Sequence, residues 1–211
     1  MEGDASQFIG LFDDFIPDIL QLVVSTWQKF HKDRPSELEE PINKWFGVKL
    51  RKEKERLDNF PFKIHPEIDI FDSNTGKTKG RIDILLDPTY TTKEDVYFAF
   101  ECKRLRIRNN LKINGNASEY VGDDGMMCFI KEQYSEDLPA GGMIGYVMDG
   151  KITLAIQSVK NAIDKKRVKL CMVSGSSLSP SSILPDESSV KETIHNLPTR
   201  SFTIHHIFLA A

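Results

Sequence analysis

Hydrophobic and polar positions alternate along two stretches in the middle of the chain, and this alternation predicts two β-strands. The first runs from Gly80 to Leu86 and the second from Val96 to Lys103; both are rich in β-branched and aromatic residues. Successive side chains of a strand point to opposite faces, so one face of each strand is expected to join the apolar core. The other faces would then bring Asp83, Glu101 and Lys103 together in one patch.

Apolar residues at three- and four-residue spacings predict helices around these strands. Residues 6–31 carry a broad apolar stripe, with a break or kink expected at Pro17. A second helix is expected to begin at Ser36, because Ser36 and Glu39 form a capping-box pattern. The remaining predicted elements are a strand at Phe62–Phe71, a loop from Lys103 to Asn116, a helix at 118–133 interrupted by glycines, a strand at Met143–Met148, a helix capped by Asp149 and ending near Lys165, a serine-rich loop at 174–185, and a final strand at 201–209.

This order of helix, three-strand meander, helix, strand, helix and strand predicts an α/β sandwich around a mixed sheet. A strand that follows a helix favours a crossover and a parallel neighbour. We expect a helical extension over residues 1–35 and one main domain over 36–211. The apolar stripe of residues 1–31 has two interpretations: it packs on the core of the main domain, or it contacts a second copy or a partner subunit.

Composition sets bounds on function. The 211 residues are 40% hydrophobic and 28% charged, which is ordinary for a soluble globular protein, and the net charge of −3 argues against a general nucleic-acid coat protein. The three cysteines and five histidines do not follow the spacing of metal ligands, so the cysteines are interpreted as reduced thiols. With an acidic N-terminus and no long apolar run, a cytoplasmic protein without membrane contact is expected.

The predicted patch suits metal-assisted hydrolysis of a phosphodiester. Hard cations such as Mg²⁺ prefer carboxylate oxygens and keep several waters, so Asp83 and Glu101 are candidate ligands, with the backbone carbonyl of Cys102 as a further oxygen. Lys103 would orient a water or stabilise negative charge on the phosphate. The alternative is an ordinary cross-strand ion pair, which contributes little stability.

Several short motifs carry a resemblance to a known family. They are Gly-Arg-Ile-Asp-Ile at 80–84, Phe-Glu-Cys-Lys-Arg-Leu at 100–105, Tyr120-Val121, Gly125-Met126 with Phe129, Gly-Met-Ile-Gly-Tyr-Val at 142–147, and His-Ile-Phe-Leu at 206–209. Over roughly residues 36–210 the chain resembles the PD-(D/E)xK nuclease superfamily, particularly its small bacterial and phage-encoded members. It departs from the pattern at Ile82, which stands in place of the proline, and at Cys128, where this group is expected to have an arginine.

The resemblance implies a restriction-endonuclease-like fold and a Mg²⁺- or Mn²⁺-dependent endonuclease, with DNA as the expected substrate and a bacterial defence or mobile-element system as the expected setting. It also implies a further acidic residue on the first core helix. Glu37, Glu39 and Glu40 are candidates; Glu39 is preferred because it precedes Ile42 and Phe46 at helical spacing, although capping would explain it equally well.

The basic residues after the second strand are candidates for phosphate contact along the rim of the site. They are Arg104, Arg106, Arg108 and Lys112. The alternative function is a catalytically silent subunit of the same fold that binds nucleic acid or a protein partner. Nothing in the sequence distinguishes DNA from RNA.

Overall fold

The computed structural model describes residues 5–34, 38–71, 75–91, 96–109 and 112–211, with residues 5–13 and 108–109 described by their backbone alone. A 3-10 turn, His31–Asp33, follows the first helix. The helices and strands are α1 (Ala5–Phe30), α2 (Glu39–Lys54), β1 (Phe62–Phe71), β2 (Thr78–Pro88), β3 (Phe98–Leu105), β4 (Ile107–Asn109), β5 (Lys112–Asn114), α3 (Ala117–Tyr120), α4 (Met126–Ile130), β6 (Ala140–Val147), α5 (Ile152–Lys165), β7 (Ser179–Pro180), β8 (Val190–Asn196) and β9 (Ser201–Ala210).

Seven of the strands form one mixed sheet in the order β1-β2-β3-β6-β9-β8-β7. Strands β1, β2 and β3 are an antiparallel meander, β6 lies parallel to β3, and β9 lies parallel to β6. The remaining two strands, β8 and β7, continue antiparallel from β9 to the edge. Strands β4 and β5 form a separate two-stranded ribbon directly after β3.

Helices cover both faces of the sheet, and an apolar cluster fills each of the two layers. Helices α1 and α2 pack on one face, where Phe98, Phe100 and Ile144 are buried beneath them. Helices α3, α4 and α5 pack on the other, over Met143 and Phe208. The fold is therefore α/β with helices on both sides of a mixed sheet, as the order of predicted elements indicated.

The predicted meander is confirmed, and the ends of its three strands lie within two residues of the predicted ends. Its first strand spans the predicted Phe62–Phe71, and the alternation at Gly80–Leu86 lies inside β2. Pro17 lies within α1 and does not end it. The glycine-interrupted helix predicted at 118–133 is two short helices, α3 and α4, separated at the glycines.

Two predictions of local structure were wrong, and one strand was missed. The stretch from Lys103 to Asn116 is not a loop: β3 continues to Leu105 and the β4–β5 ribbon follows. Strand β8 was not predicted, because its buried positions are mostly polar. Helix α5 begins at Ile152 after Lys151, and Asp149 does not cap it; the two carboxylate oxygens of Asp149 instead accept hydrogen bonds from Arg106 Nε and the Lys151 N–H.

Helix α1 is part of the same apolar layer as α2 and the sheet. From Ile16 to Trp27 its apolar side chains are buried against the chain itself. The Trp27 indole stacks on the Tyr146 ring, with 5.1 Å between the ring centroids, and its N–H donates a hydrogen bond of 2.6 Å to the Ala210 carbonyl. Packing on the core is thus the interpretation that holds for this part of the stripe. Side chains before residue 14 lie outside the described part. Among the described helices, none is long and apolar enough to cross a membrane.

Candidate metal and phosphate site

Asp83 and Glu101 meet where the backbone pairing of β2 and β3 ends. The paired residues run from Leu86 opposite Phe98 to Ile84 opposite Phe100. At the next position Asp83 extends its carboxylate toward β3, and its Oδ2 accepts a hydrogen bond of 2.7 Å from the Cys102 N–H. The carboxylate thus satisfies a backbone donor that a continued β-ladder would have paired, and it is fixed beside Glu101.

Lys103 connects the two acidic side chains contributed by β3 and α2. Its Nζ lies 2.7 Å from Glu101 Oε1, 2.8 Å from the Cys102 carbonyl and 3.2 Å from Glu39 Oε1. The side chains of Lys103 and Glu101 are only 12% and 7% exposed, whereas that of Glu39 is 30% exposed. The predicted patch is therefore present, with Lys103 and Glu101 largely buried and Glu39 as its more exposed member.

Burial dominates the electrostatics of this group. It raises the pKa of Asp83 to about 7, an effect that the Lys103 charge and the Cys102 N–H only partly oppose. Burial, together with the charge of Asp83, raises the pKa of Glu101 well above its usual range. For Lys103, burial alone would lower the pKa, but the carboxylates of Glu101, Glu39 and Asp83 raise it. The raised pKa values mean that Asp83 and Glu101 bind protons more readily than ordinary carboxylates. A cation bound in place of those protons would stabilise their ionised forms.

Glu39 faces the site, and both of its carboxylate oxygens have partners there. Its Oε1 contacts Lys103, and its Oε2 accepts a hydrogen bond of 3.0 Å from the Arg104 N–H. Leu38 is the residue before the helix, and among the described residues its N-terminus has no capping hydrogen bond from a side chain. The predicted cap Ser36 and the candidate Glu37 lie outside the described residues. Glu40 is half exposed and pairs with Lys44, so Glu39 is the described α2 acid that reaches β3.

Glu67 joins this neighbourhood although sequence reasoning did not single it out. It lies between the paired residues Pro66–Ile84 and Ile68–Ile82 of β1 and β2, and its backbone is left-handed with φ +57°. Its Oε1 accepts a hydrogen bond from Asn43 Nδ2 at 2.9 Å, and its Oε2 lies 2.8 Å from Arg81 Nη2. Burial raises the pKa of Glu67. No sequence signal marks the unusual φ.

The predicted basic rim is only partly available for phosphate. Arg106 forms a buried ion pair, with its Nε 2.8 Å from Asp149 Oδ2. Arg104 is half-buried and donates its backbone N–H to Glu39. Lys112 is exposed on β5. The backbone of Arg108 pairs with Ile113 in the ribbon, and its side chain lies outside the described part. Arg106 therefore serves the fold, because its guanidinium is committed to Asp149.

Cys128, at the position where the resemblance led us to expect an arginine, is buried. Its thiol donates a hydrogen bond to the Asp123 carbonyl at 3.3 Å. Burial, reinforced by the charge of Glu101, raises the pKa of the thiol to about 12. A neutral thiol cannot replace an arginine in binding phosphate, so the position contributes no charge to the site.

The donor set fits a hard divalent cation that keeps part of its water shell. Glu101 Oε2 is buried and has no hydrogen-bond partner among the described residues, which is costly unless something else pairs with it. Within the described ranges, no three His, Cys, Asp or Glu side chains are grouped so as to hold a metal by themselves. Two carboxylates, the Cys102 carbonyl and waters would complete a shell of the kind Mg²⁺ prefers.

No family model, curated protein or solved structure matches the chain. Function therefore has to be inferred from the arrangement of these side chains.

Proposed function

We propose that this protein is a divalent-metal-dependent nuclease that hydrolyses phosphodiester bonds, with DNA as the expected substrate. The observation that carries the proposal is the convergence of Asp83, Glu101, Lys103 and Glu39, in which one carboxylate oxygen, Glu101 Oε2, is buried without a partner. In an exposed ion pair, water would hydrate such an oxygen, whereas here the oxygen is buried beside Lys103 and could be paired by a bound cation. Perturbed ionisable groups clustered in this way are typical of functional sites.

The topology supports a restriction-endonuclease-like fold. A three-strand antiparallel meander is followed by a helical crossover to a parallel fourth strand, β6, and helices cover both faces. The acidic pair lies on the second and third strands of the meander, and the first core helix, α2, adds Glu39. This is the arrangement that the resemblance to the PD-(D/E)xK superfamily implies.

Each residue of the site has a distinct proposed role. Asp83 and Glu101 would hold Mg²⁺ or Mn²⁺ together with the Cys102 carbonyl, and the metal would supply a water of lowered pKa and charge to offset the phosphate. Lys103 would donate hydrogen bonds to the reacting phosphate or orient the water. Glu39 positions Lys103, because it accepts a hydrogen bond from its ammonium and a second one from the Arg104 N–H. The Cys102 N–H fixes one oxygen of Asp83.

Substrate would approach from the side of Glu39, which is the most exposed member of the cluster. Lys112 on the β4–β5 ribbon is the exposed cation that follows β3 in the described chain segment. Phosphate contacts of this kind give affinity that falls as salt rises. Arg104 and Arg108 stay candidates for such contacts, and Arg106 is removed from the set because of its pairing with Asp149.

A cleavage panel tests the proposal. Plasmid, linear duplex, single-stranded DNA and RNA are incubated with the protein in Mg²⁺, Mn²⁺ or EDTA. Cleavage that needs metal and is lost in Asp83→Asn, but kept in Lys44→Met as a surface control, is the expected result. Binding without cleavage of any substrate in either metal would contradict the proposal and favour a catalytically silent subunit that binds nucleic acid.

A further inference from the structure

The ammonium of Lys103 is fully occupied within the site. A lysine has three N–H donors and no acceptor, and Lys103 has three oxygen acceptors within hydrogen-bond distance: Glu101 Oε1 at 2.7 Å, the Cys102 carbonyl at 2.8 Å and Glu39 Oε1 at 3.2 Å. In this arrangement no N–H remains for a phosphate or a water. A lysine that acts on the substrate therefore has to give up at least one of these contacts.

Both of the closer acceptors belong to groups assigned to the metal. The Cys102 carbonyl would be a ligand itself, and Glu101 binds the ammonium through Oε1 while its Oε2 is the oxygen left without a partner. The ammonium and the metal ion would therefore share one oxygen and one carboxylate. Two cations cannot both be held at one small group of oxygens without strong repulsion. The side chain of Lys103 is only 12% exposed, so it is enclosed in the site and does not merely rest on its surface.

Building on the proposed function, we infer that the Lys103 ammonium is the resident cation of this oxygen cluster and that a divalent metal displaces it. Displacement frees the N–H donors of Lys103, while Glu39 keeps the ammonium beside the site through its remaining contact. Metal loading would thus prepare two groups in one step: the metal occupies Glu101 and Cys102, and Lys103 becomes able to bind the phosphate. In the metal-free protein Lys103 is unable to do so.

Calorimetric titration with Mn²⁺ tests this competition. Lys103→Met, which removes the competing cation but keeps a long side chain, should bind Mn²⁺ about ten- to hundredfold more tightly than the unchanged protein, because the metal no longer breaks charge-assisted hydrogen bonds. Lys29→Met is the matched control. Lys29 pairs with Glu53, which lies 14 residues after Glu39 on α2, about 21 Å along the helix and beyond the screening length of about 8–10 Å.

The outcomes separate the inference from the proposed function. Equal or weaker Mn²⁺ binding by Lys103→Met, with clear binding by the unchanged protein, would overturn displacement and leave the metal site standing. Absence of Mn²⁺ binding by both proteins would overturn both. Binding by Lys103→Met alone would show that the metal cannot displace the ammonium, and it would overturn the inference.

A second measurement uses the unchanged protein and does not depend on the variant folding. The rate of acetylation of Lys103 by an amine-reactive reagent is followed by mass spectrometry with and without Mn²⁺, relative to Lys29. Mn²⁺ should accelerate the modification of Lys103 and leave that of Lys29 unchanged. An unaltered Lys103 rate at saturating Mn²⁺ would contradict displacement.

Discussion

Some charged residues near the site form buried ion pairs, whereas others are exposed to solvent. Arg106 and Asp149 form the clearest buried pair: the Asp149 side chain is fully buried and that of Arg106 is 14% exposed. Arg106 also has a left-handed backbone, with φ +54°, at the turn between β3 and β4. The pair therefore ties the start of the ribbon to the segment that leads into α5.

Arg106→Met should lower the free energy of unfolding by about 3–5 kcal/mol, because it leaves the Asp149 carboxylate buried without its counter-charge. Thermal and urea unfolding measure this. Lys112→Met, which removes one exposed positive charge from the neighbouring ribbon, should change stability by less than about 0.5 kcal/mol. If both variants are as stable as the unchanged protein, Arg106 is available for phosphate after all.

The site residues show how far single-residue reasoning reaches. Alternation along β2 and β3 was sufficient to bring Asp83, Glu101 and Lys103 together, since it fixes the face on which each side chain lies. Alternation could not show that Glu39 contacts Lys103, because that depends on how α2 crosses the sheet. Nor could it find Glu67, whose left-handed backbone departs from the strand pattern.

At the scale of elements, the hydrophobic pattern identified strands whose buried residues are apolar. It missed β8, where Ile194 is exposed while Glu192, Thr193 and His195 are buried. These polar groups are accommodated by hydrogen bonds instead of apolar contacts. The β4–β5 ribbon escaped prediction for a different reason: its strands are three residues long and contain few apolar positions.

His195 belongs to a buried chain of hydrogen bonds that joins α3, β8 and β9. The Tyr120 hydroxyl lies 3.0 Å from His206 Nδ1, and Thr193 Oγ1 lies 2.8 Å from His206 Nε2 and 2.7 Å from His195 Nε2. The chain ends where His195 Nδ1 meets the Leu170 carbonyl at 2.7 Å. With both imidazoles neutral, one choice of tautomers gives every donor an acceptor. Tyr120 donates to His206, His206 donates to Thr193, Thr193 donates to His195, and His195 donates to the Leu170 carbonyl.

The stability of this chain of hydrogen bonds should depend on pH. Burial lowers the pKa of His195 to about 4, below its unfolded value of 6.5. Between these values the unfolded state binds more protons, so His195 destabilises the fold progressively as pH falls from 6.5 to 4, by about 3 kcal/mol. His195→Asn, which keeps a donor for Leu170, removes this dependence. The difference in free energy of unfolding between the unchanged protein and His195→Asn should therefore become smaller from pH 7.5 to pH 4.5. A difference that stays constant would contradict the lowered pKa of His195.

Strand β6 packs closely against β3 because Gly142 has no side chain that would collide with the Phe100 ring. A Cβ on Gly142 would come within 2.2 Å of two ring atoms of Phe100, and Phe100 directly precedes Glu101. Gly142→Ala should therefore destabilise the protein by about 1–3 kcal/mol through overpacking. Thermal unfolding measures this, with Gly115→Ala as a control because nothing lies within 4 Å of its added Cβ. Equal melting temperatures would show that Phe100 moves aside freely.

At the scale of the whole molecule, α1 completes the layer of helices that covers one face of the sheet. Its length and broad apolar stripe were predictable, but the surface that it covers was not. Sequence alone left open whether the stripe packs on the core or on another chain, because periodicity defines a face without its partner. The contacts of Trp27 with Tyr146 and Ala210 settle this for the C-terminal half of α1.

Trp27→Ala should consequently lower the free energy of unfolding by about 3–5 kcal/mol. The loss follows from the cavity beneath α1 and from the Ala210 carbonyl that no longer accepts the indole N–H. Gln28→Ala, the next residue on the exposed side of the same helix, should be nearly neutral. Chemical unfolding of both variants measures this, and a Trp27→Ala protein of unchanged stability would refute the packing of α1 on the core.

Calorimetric titration of Mn²⁺ into the unchanged protein, Asp83→Asn and Glu101→Gln tests the central claim most directly. Both substitutions keep the size of the side chain and remove its charge, and melting curves confirm that each variant is folded. The account predicts that the unchanged protein binds one Mn²⁺ and that each variant loses this binding, since each lacks a carboxylate ligand. Binding by folded Asp83→Asn as tight as that of the unchanged protein would contradict the metal site.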